Sequence, residues 1–346
     1  MKKALLFSAA LAALTLVSCN KEVKSSAVLG DGKPVEVTVS IQGAPGTRAT
    51  ETTYANESKV NTLQVFVFAG DDREAYKSVA SAMQALIPAT SGERTVWAVV
   101  NAPDLSAVTS LSGLRAAVTN LSDNAVDGFV MTGSKTQELV DGGNVPITVK
   151  RIVSRVSIAK ISTDLKEYRV NYSLKLKGIY MINVAGDNKY DVGGEASSWI
   201  NKLGHTDNAY DALLYDEIAS VEVKNGTPYV KEHAFYPYPN IHPTDAESAS
   251  PVYSSTWNPR GSILVIEAEM YDDASNAILL ENGTSTGYYP IILPALERNK
   301  TYVIEEVCIT RMPGSVPYEP ITTGESQVTI SVADWEVGLN LGTITI

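Results

Sequence analysis

The residues whose types could do chemistry are few and poorly spaced for it. Gly283-Thr284-Ser285-Thr286-Gly287 carries the letters of the G-x-S-x-G nucleophile motif, which needs a sharp strand-to-helix turn to expose its serine. The residues that follow, YYPIIL, are strand-forming, so the stretch reads as a hairpin turn. His205, His233 and His242 match neither H-E-x-x-H nor a zinc-ligand pair, and read as solvent-facing loop residues. Asp272, Asp273, Ser275 and Asn276 supply oxygens suited to calcium, but a polar hairpin tip explains the same cluster. No glycine loop of the phosphate-binding kind is present. With neither a catalytic set nor a metal or cofactor site, the expectation is a structural protein and not an enzyme.

Two other residues suggest covalent processing. Lys2 and Lys3 precede an apolar run at residues 4–17, too short for a membrane span, which needs about 20 residues. The run ends Leu16-Val17-Ser18-Cys19, which resembles a bacterial lipobox, so Cys19 is expected to become the acylated first residue of an outer-membrane lipoprotein. Cys308 is then the one remaining thiol, expected to be buried and inert. The second residue is Arg48. It follows Gly43, Pro45 and Gly46, which break the preceding strand and place Arg48, with Ala49 after it, on an exposed, protease-accessible loop.

That preceding strand organises the rest of the reading. Val35, Val37, Val39 and Ile41 alternate with Glu36, Thr38, Ser40 and Gln42, so four apolar side chains share one face. A good strand joined to its domain through a cleavable segment reads as temporary: it fills a groove until a protease removes it. The C-terminus carries a matching pattern. Val328, Ile330 and Val332 alternate, Asp334 shifts the register, and Trp335, Val337, Leu339 and Leu341 alternate on the opposite parity. These residues are either a last core strand of the second domain or a strand that another subunit can take up.

The remaining elements give the frame. The 346 residues, 44% hydrophobic and 19% charged, suit two folded domains. A net charge of −11 argues against nucleic acid as a partner. Strands are expected at residues 60–68 and 94–100, a helix or strand at 71–85, and a helix over 105–121, where Leu105, Val108, Leu111, Leu114 and Val118 recur every three or four positions. Short strands follow at 129–132 and 137–140, with Pro146 as punctuation. ITVKRIVSRVSIAKI, at residues 147–161, carries the chain between domains, its basic residues on a solvated or interdomain face. Further strands are expected at 168–176, 178–184, 263–271, 288–293 and 302–310. Residues 186–255 read as long loops, and 312–324 as a Pro/Gly linker.

Several blocks together resemble the major fimbrial subunit (FimA) family of Bacteroidales type V pilins. Besides the lipobox they are ESKVNTLQVFVFAG from Glu57, SGERTVWAVVNA from Ser91, VMTGSKT from Val130, ITVKRIVSRVSIAKI from Ile147, YYPIILPALERNKTYVI from Tyr288 and VTISVADWEVG from Val328. The resemblance implies a mainly β fold of two transthyretin-like antiparallel β-sandwich domains with one short helix. The expected division is a signal peptide at 1–19, a propeptide with the leader strand at 20–48, an N-terminal domain at 49–150 and a C-terminal domain at 151–346. The last of these would include a donor segment at about 326–346. It further implies cleavage between Arg48 and Ala49 by an Arg-specific surface protease and filling of the vacated groove by a neighbour's tail, in cell-surface fimbriae that adhere to host or bacterial receptors. Partners would be copies of the same chain and related pilins. The competing expectation is a surface-anchored glycan-binding lipoprotein, with the tyrosine-rich loops between Tyr210 and Trp257 as a stacking platform.

Overall fold

The computed structural model describes residues 32–42, 56–191, 195–242, 257–319, 331–335 and 343–345. Its chain builds two β-sandwiches in succession. In the first, β1 (Pro34–Gln42), β2 (Thr62–Ala69), β3 (Asp72–Ala80), β4 (Gln84–Thr90), β5 (Gly92–Val100), the short β6 (Val118–Asn120), β7 (Met131–Leu139), β8 (Asn144–Thr148) and β9 (Lys150–Arg151) follow in order. A three-stranded sheet, β4-β1-β8, faces a five-stranded sheet, β3-β2-β5-β7-β9. Leu63, Val65, Val67, Val96, Ala98, Val100 and Met131 of the larger sheet meet Val37, Val39, Ile87, Val145 and Ile147 of the smaller in one apolar cluster.

The second sandwich uses β10 (Arg155–Thr163), β11 (Ser173–Ile182), the short β12 (Val184–Ala185), β13 (Asp187–Lys189) and β14 (Trp199–Ile200), then β15 (Tyr215–Lys224) and β16 (Tyr229–Phe235). It is completed by β17 (Ile263–Tyr271), β18 (Thr286–Ile292), β19 (Lys300–Ile304), β20 (Glu306–Ile309), β21 (Ser331–Asp334) and β22 (Thr343–Thr345). A sheet in the order β15-β11-β17-β18 packs on one in which β10 pairs with β16, β19 and β20, and β21 and β22 border β19 and β20. The chain passes from the first sandwich to the second between β9, which pairs with β7, and β10. The two cores are not equally separate. The outer face of the five-stranded sheet (Phe66, Phe68, Trp97, Val99) belongs to the same cluster as the second sandwich.

Several local expectations change. The helix over residues 105–121 shrinks to α1 (Leu111–Ala116), capped by the Ser110 hydroxyl, which accepts the Gly113 N–H at 3.0 Å. Upstream, Arg73 donates to the Ser106 and Val108 carbonyls at 2.5 Å each, occupying acceptors that a helix would use. Leu105 and Val108 still pack on the core from this irregular run, so helical spacing arises there without a helix. The two short strands after Phe129 are one strand, β7. Gly133 does not break it, because its missing side chain makes room: a Cβ there would lie 2.2 Å from the Thr148 carbonyl oxygen of β8. Pro146 lies inside β8, an edge strand that tolerates a missing N–H. The strands at 168–176 and 178–184 are likewise replaced by β11, with a register shift between Leu176 and Gly178. The long-loop region contains two full strands, β15 and β16, and a one-turn helix, α2 (Asp211–Leu214). On β15, at the sheet edge, only Ile218 and Val223 are buried, too few to display a period of two.

Candidate functional site

The site is a seat for one strand. β1 runs antiparallel to β4, with residues 34–40 opposite 84–90, and parallel to β8, with residues 38–42 opposite 144–148. Both of its backbone edges are therefore engaged. The Thr38 N–H donates to the Gly143 carbonyl and the Ile41 N–H to the Met83 carbonyl, each at 2.9 Å, while Gly142 and Val149 donate to the Glu36 and Gln42 carbonyls. Side chains add to the ladder. Asp141 accepts the Glu36 N–H at 3.0 Å, and the Ser40 hydroxyl donates to Asn144 Oδ1 at 3.1 Å. Val35, Val37, Val39 and Ile41 all point into the first core, with Val37 and Val39 fully buried at 0% exposure. Period two thus becomes a face because both flanking strands hold β1 flat over a core. β4 and β8 are not paired with each other, so β1 is the element that joins them.

The C-terminal residues occupy a different kind of seat. β21 pairs antiparallel with β19, and β22 pairs parallel with β20, both along one border of the second sandwich. Val332 lies opposite Tyr302 in that ladder. Trp335 follows at a joint built from both sandwiches. Its indole Nε1 donates to Glu57 Oε2 at 3.0 Å, its ring stacks on Tyr236 and meets Phe129 edge-on, and the Arg151 guanidinium lies over it at 4.6 Å. Glu57, only 5% exposed, also accepts the Tyr236 hydroxyl at 2.6 Å and faces Arg155 Nε at 3.5 Å. Sequence reasoning did not single out Glu57; its one signal was its place at the head of the ESKVNTLQVFVFAG block. Cys19, Arg48, Ala49, Val328, Ile330, Val337, Leu339 and Leu341 lie outside the described residues.

The residues first considered for chemistry are occupied structurally. Ser285 donates to Glu269 at 2.9 Å in the β17–β18 connection, where Gly283 takes a positive φ of 79°, so no nucleophile elbow forms. The histidines are not loop residues facing solvent as a group. His233 is on β16, 2% exposed, its Nδ1 2.5 Å from Asp216; burial pulls its pKa below the usual imidazole value, with Asp216 opposing. His205 pairs with Asp211 at 2.8 Å and stacks on Tyr215. Asp272 caps its own turn by accepting the Asn276 N–H at 2.7 Å, and no metal-ligating cluster exists among the described residues. Cys308 is half-buried on β20.

Of the aromatic residues between Tyr210 and Trp257, Tyr236 and Tyr238 are core and cannot form an exposed platform. A cavity of about 200 Å³ does open nearby, walled by Trp199, His242, Asp191, Glu195, Glu297 and Arg298 among others. Burial lowers the pKa of Arg298 to about 10, and it donates to Thr132 Oγ1 at 2.8 Å.

Fold and site together define a two-sandwich β protein whose first sandwich is completed by a seated strand and whose tail borders the second. Residues 34–175 match the model of the family described as Major fimbrial subunit protein (FimA), a match that begins at the first residue of β1. The chain is 24% identical to a Major fimbrium subunit FimA type-2 of Porphyromonas gingivalis, over 97% of this chain and 98% of that one. A FimA type-3 subunit of the same organism is 25% identical, over 89% of this chain and 86% of that one. The crystal structure of a P. gingivalis fimbrilin (FimA) shares the fold, with a TM-score of 0.61 and 17% identity over 90% of this chain and 96% of that one. The chain is thus similar to the major fimbrial subunit (FimA) family through residues 34–175, and to FimA subunits of P. gingivalis over most of its length.

Proposed function

We propose that this chain is the structural subunit of a cell-surface fimbria, assembled when a neighbour's tail replaces β1. In this reading the precursor is carried to the outer membrane as a lipoprotein through Cys19. An Arg-specific protease cuts between Arg48 and Ala49, the leader containing β1 leaves, and the stripe Trp335, Val337, Leu339 and Leu341 of the next subunit enters the slot. Val328, Ile330 and Val332 belong to the same donor segment. Domain limits near residue 150 and a donor segment at about 326–346 are part of the proposal.

The observation that carries it is the place of β1 between two strands that do not otherwise touch through a ladder. Burying its Val35, Val37, Val39 and Ile41 contributes on the order of 6–12 kcal/mol as an upper bound. Each ladder bond adds about 0.5–1.5 kcal/mol. An emptied slot would expose an apolar floor and two unpaired edges, a surface suited to another strand. While β1 is covalently attached, its effective concentration excludes competitors, so the uncut chain stays monomeric. A head-to-tail exchange does not close on itself, and repetition gives a filament.

The test is digestion of the purified precursor with an Arg-specific protease, followed by size-exclusion chromatography and negative-stain electron microscopy. Filaments should appear once the leader peptide is lost. A cleaved chain that loses the leader yet remains monomeric at high concentration overturns the reading.

A second reading, saccharide capture by the surface protein, is favoured by the cavity at Trp199. An aromatic wall beside Asp191, Glu195 and Glu297 suits the apolar face and hydroxyls of a neutral sugar. Saturation-transfer NMR with a panel of neutral monosaccharides checks it: Trp199→Ala should abolish any signal seen with the parent chain, and no signal from the parent ends this reading.

A further inference from the structure

Assembly by tail exchange needs the tail to stay home until a partner slot is available, and the joint around Trp335 bears on how. Six groups converge there from separate parts of the chain: Glu57 before β2, Phe129 before β7, Arg151 on β9, Arg155 on β10, Tyr236 after β16, and Trp335 itself. The Trp335 N–H also donates to the Asn299 carbonyl at 3.0 Å. Asn299 holds a positive φ of 56°, and its side chain accepts the Arg151 N–H at 3.1 Å. The tail's root is therefore fixed to a turn that is itself fixed to the other sandwich.

We propose that Glu57 and Trp335 form a latch that retains the tail on its own subunit, and that this contact must break before the tail can be donated. The proposal rests on the assembly reading above and adds to it the residue that holds the donor back. Glu57 is the positioning residue, because it gathers three donors with one buried carboxylate: the Trp335 indole, the Tyr236 hydroxyl and the facing Arg155 guanidinium. Its backbone carbonyl accepts Arg151 Nε at 3.2 Å, which places that guanidinium over the indole. Hydrogen bonds to a charged, buried acceptor are the strong ones, and their loss is felt at once by the group they hold. Position matters as much as strength. Glu57 lies eight residues after Ala49, so the segment next to the cleavage position and the root of the donor meet at one side chain. The apolar stripe beginning at Trp335 cannot enter another slot while its first residue is bonded here.

Hydrogen exchange on the full-length chain carrying Arg48→Ala, which keeps the leader attached, tests retention without polymerisation. Trp335→Phe keeps a ring for Tyr236 and Phe129 but deletes the indole N–H. In that variant the amides of residues 331–335 should exchange about tenfold faster or more, as loss of a bond to a charged acceptor implies. Amides of residues 35–41 in β1 should not change. Glu57→Ala should give the same pattern, and the double variant should be no faster than the faster single one. Unchanged exchange at 331–335 in Trp335→Phe overturns the latch, even if Glu57→Ala proves globally unstable. A second arm uses chains that retain Arg48, cut after it. There Glu57→Ala, which leaves the donor stripe intact, should elongate filaments several-fold faster, whereas loss of a carboxylate that merely stabilises the fold would slow growth or lower yield. Slower growth therefore also overturns the proposal. If neither parent nor variant elongates, the assembly reading fails, and the exchange data still judge retention.

Discussion

β1 and the C-terminal strands β21 and β22 are all short, yet they are held in different ways. β1 lies between β4 and β8, hydrogen-bonded along both edges, with Val37 and Val39 at 0% exposure. Among the described residues the tail borders its sheet: β21 pairs with β19, β22 pairs with β20, and Trp335 bonds to Glu57. A strand with two neighbours cannot leave without breaking two ladders and opening a core, whereas a border strand loses one ladder. Under the proposed assembly, the first seat is the one that a covalent cut must open. The second is the one whose departure the proposed Glu57–Trp335 latch would time. In the proposed assembly, this difference in docking is what would make β1 a plug and the C-terminal segment a transferable strand.

That comparison can be broken at several points. The largest effect should come from Arg48→Ala: filament formation lost altogether, thermal midpoint unchanged, with electron microscopy and calorimetry as the measurements. Filaments from that variant without cleavage elsewhere would end the plug assignment. Deleting residues 327–346 should give a folded monomer that accepts a tail but offers none, so that it caps growing filaments when mixed with the parent. A truncation that unfolds would show the tail to be core. Val39→Ala, inside the slot, should cost the precursor about 2 kcal/mol in urea unfolding through the cavity it leaves. Smallest of all, Val337→Ala should shift precursor stability by no more than about 0.5 kcal/mol. It should nevertheless lower the resistance of assembled filaments to detergent dissociation. Equal costs for the last two variants in the precursor would erase the difference between the seats.

Strand-rich character and the two apolar stripes were legible because a period of two needs only local sequence. Thr62–Ala69, Gly92–Val100 and Ile263–Tyr271 are found where alternation or β-branched runs place them. Legibility failed where a distant group set the outcome. Arg73 takes carbonyls from the run before α1, Thr148 demands a glycine within β7, and the polar β15 is a strand because β11 pairs with it. The histidines were misread for the same reason, since His233 is buried by strands remote in sequence.

The sequence by itself determined that residues 35–41 would present one apolar face, that a breaker and an arginine would follow, and that the C-terminus would repeat the pattern. These are properties of neighbours along the chain, governed by backbone geometry. Only the tertiary structure decided that β1 lies between two strands while, among the described residues, β21 and β22 each pair with one, and that Glu57 meets Trp335 across most of the chain's length. Such pairings depend on which edges are left open once every other strand has been placed, and that is a property of the whole packed chain.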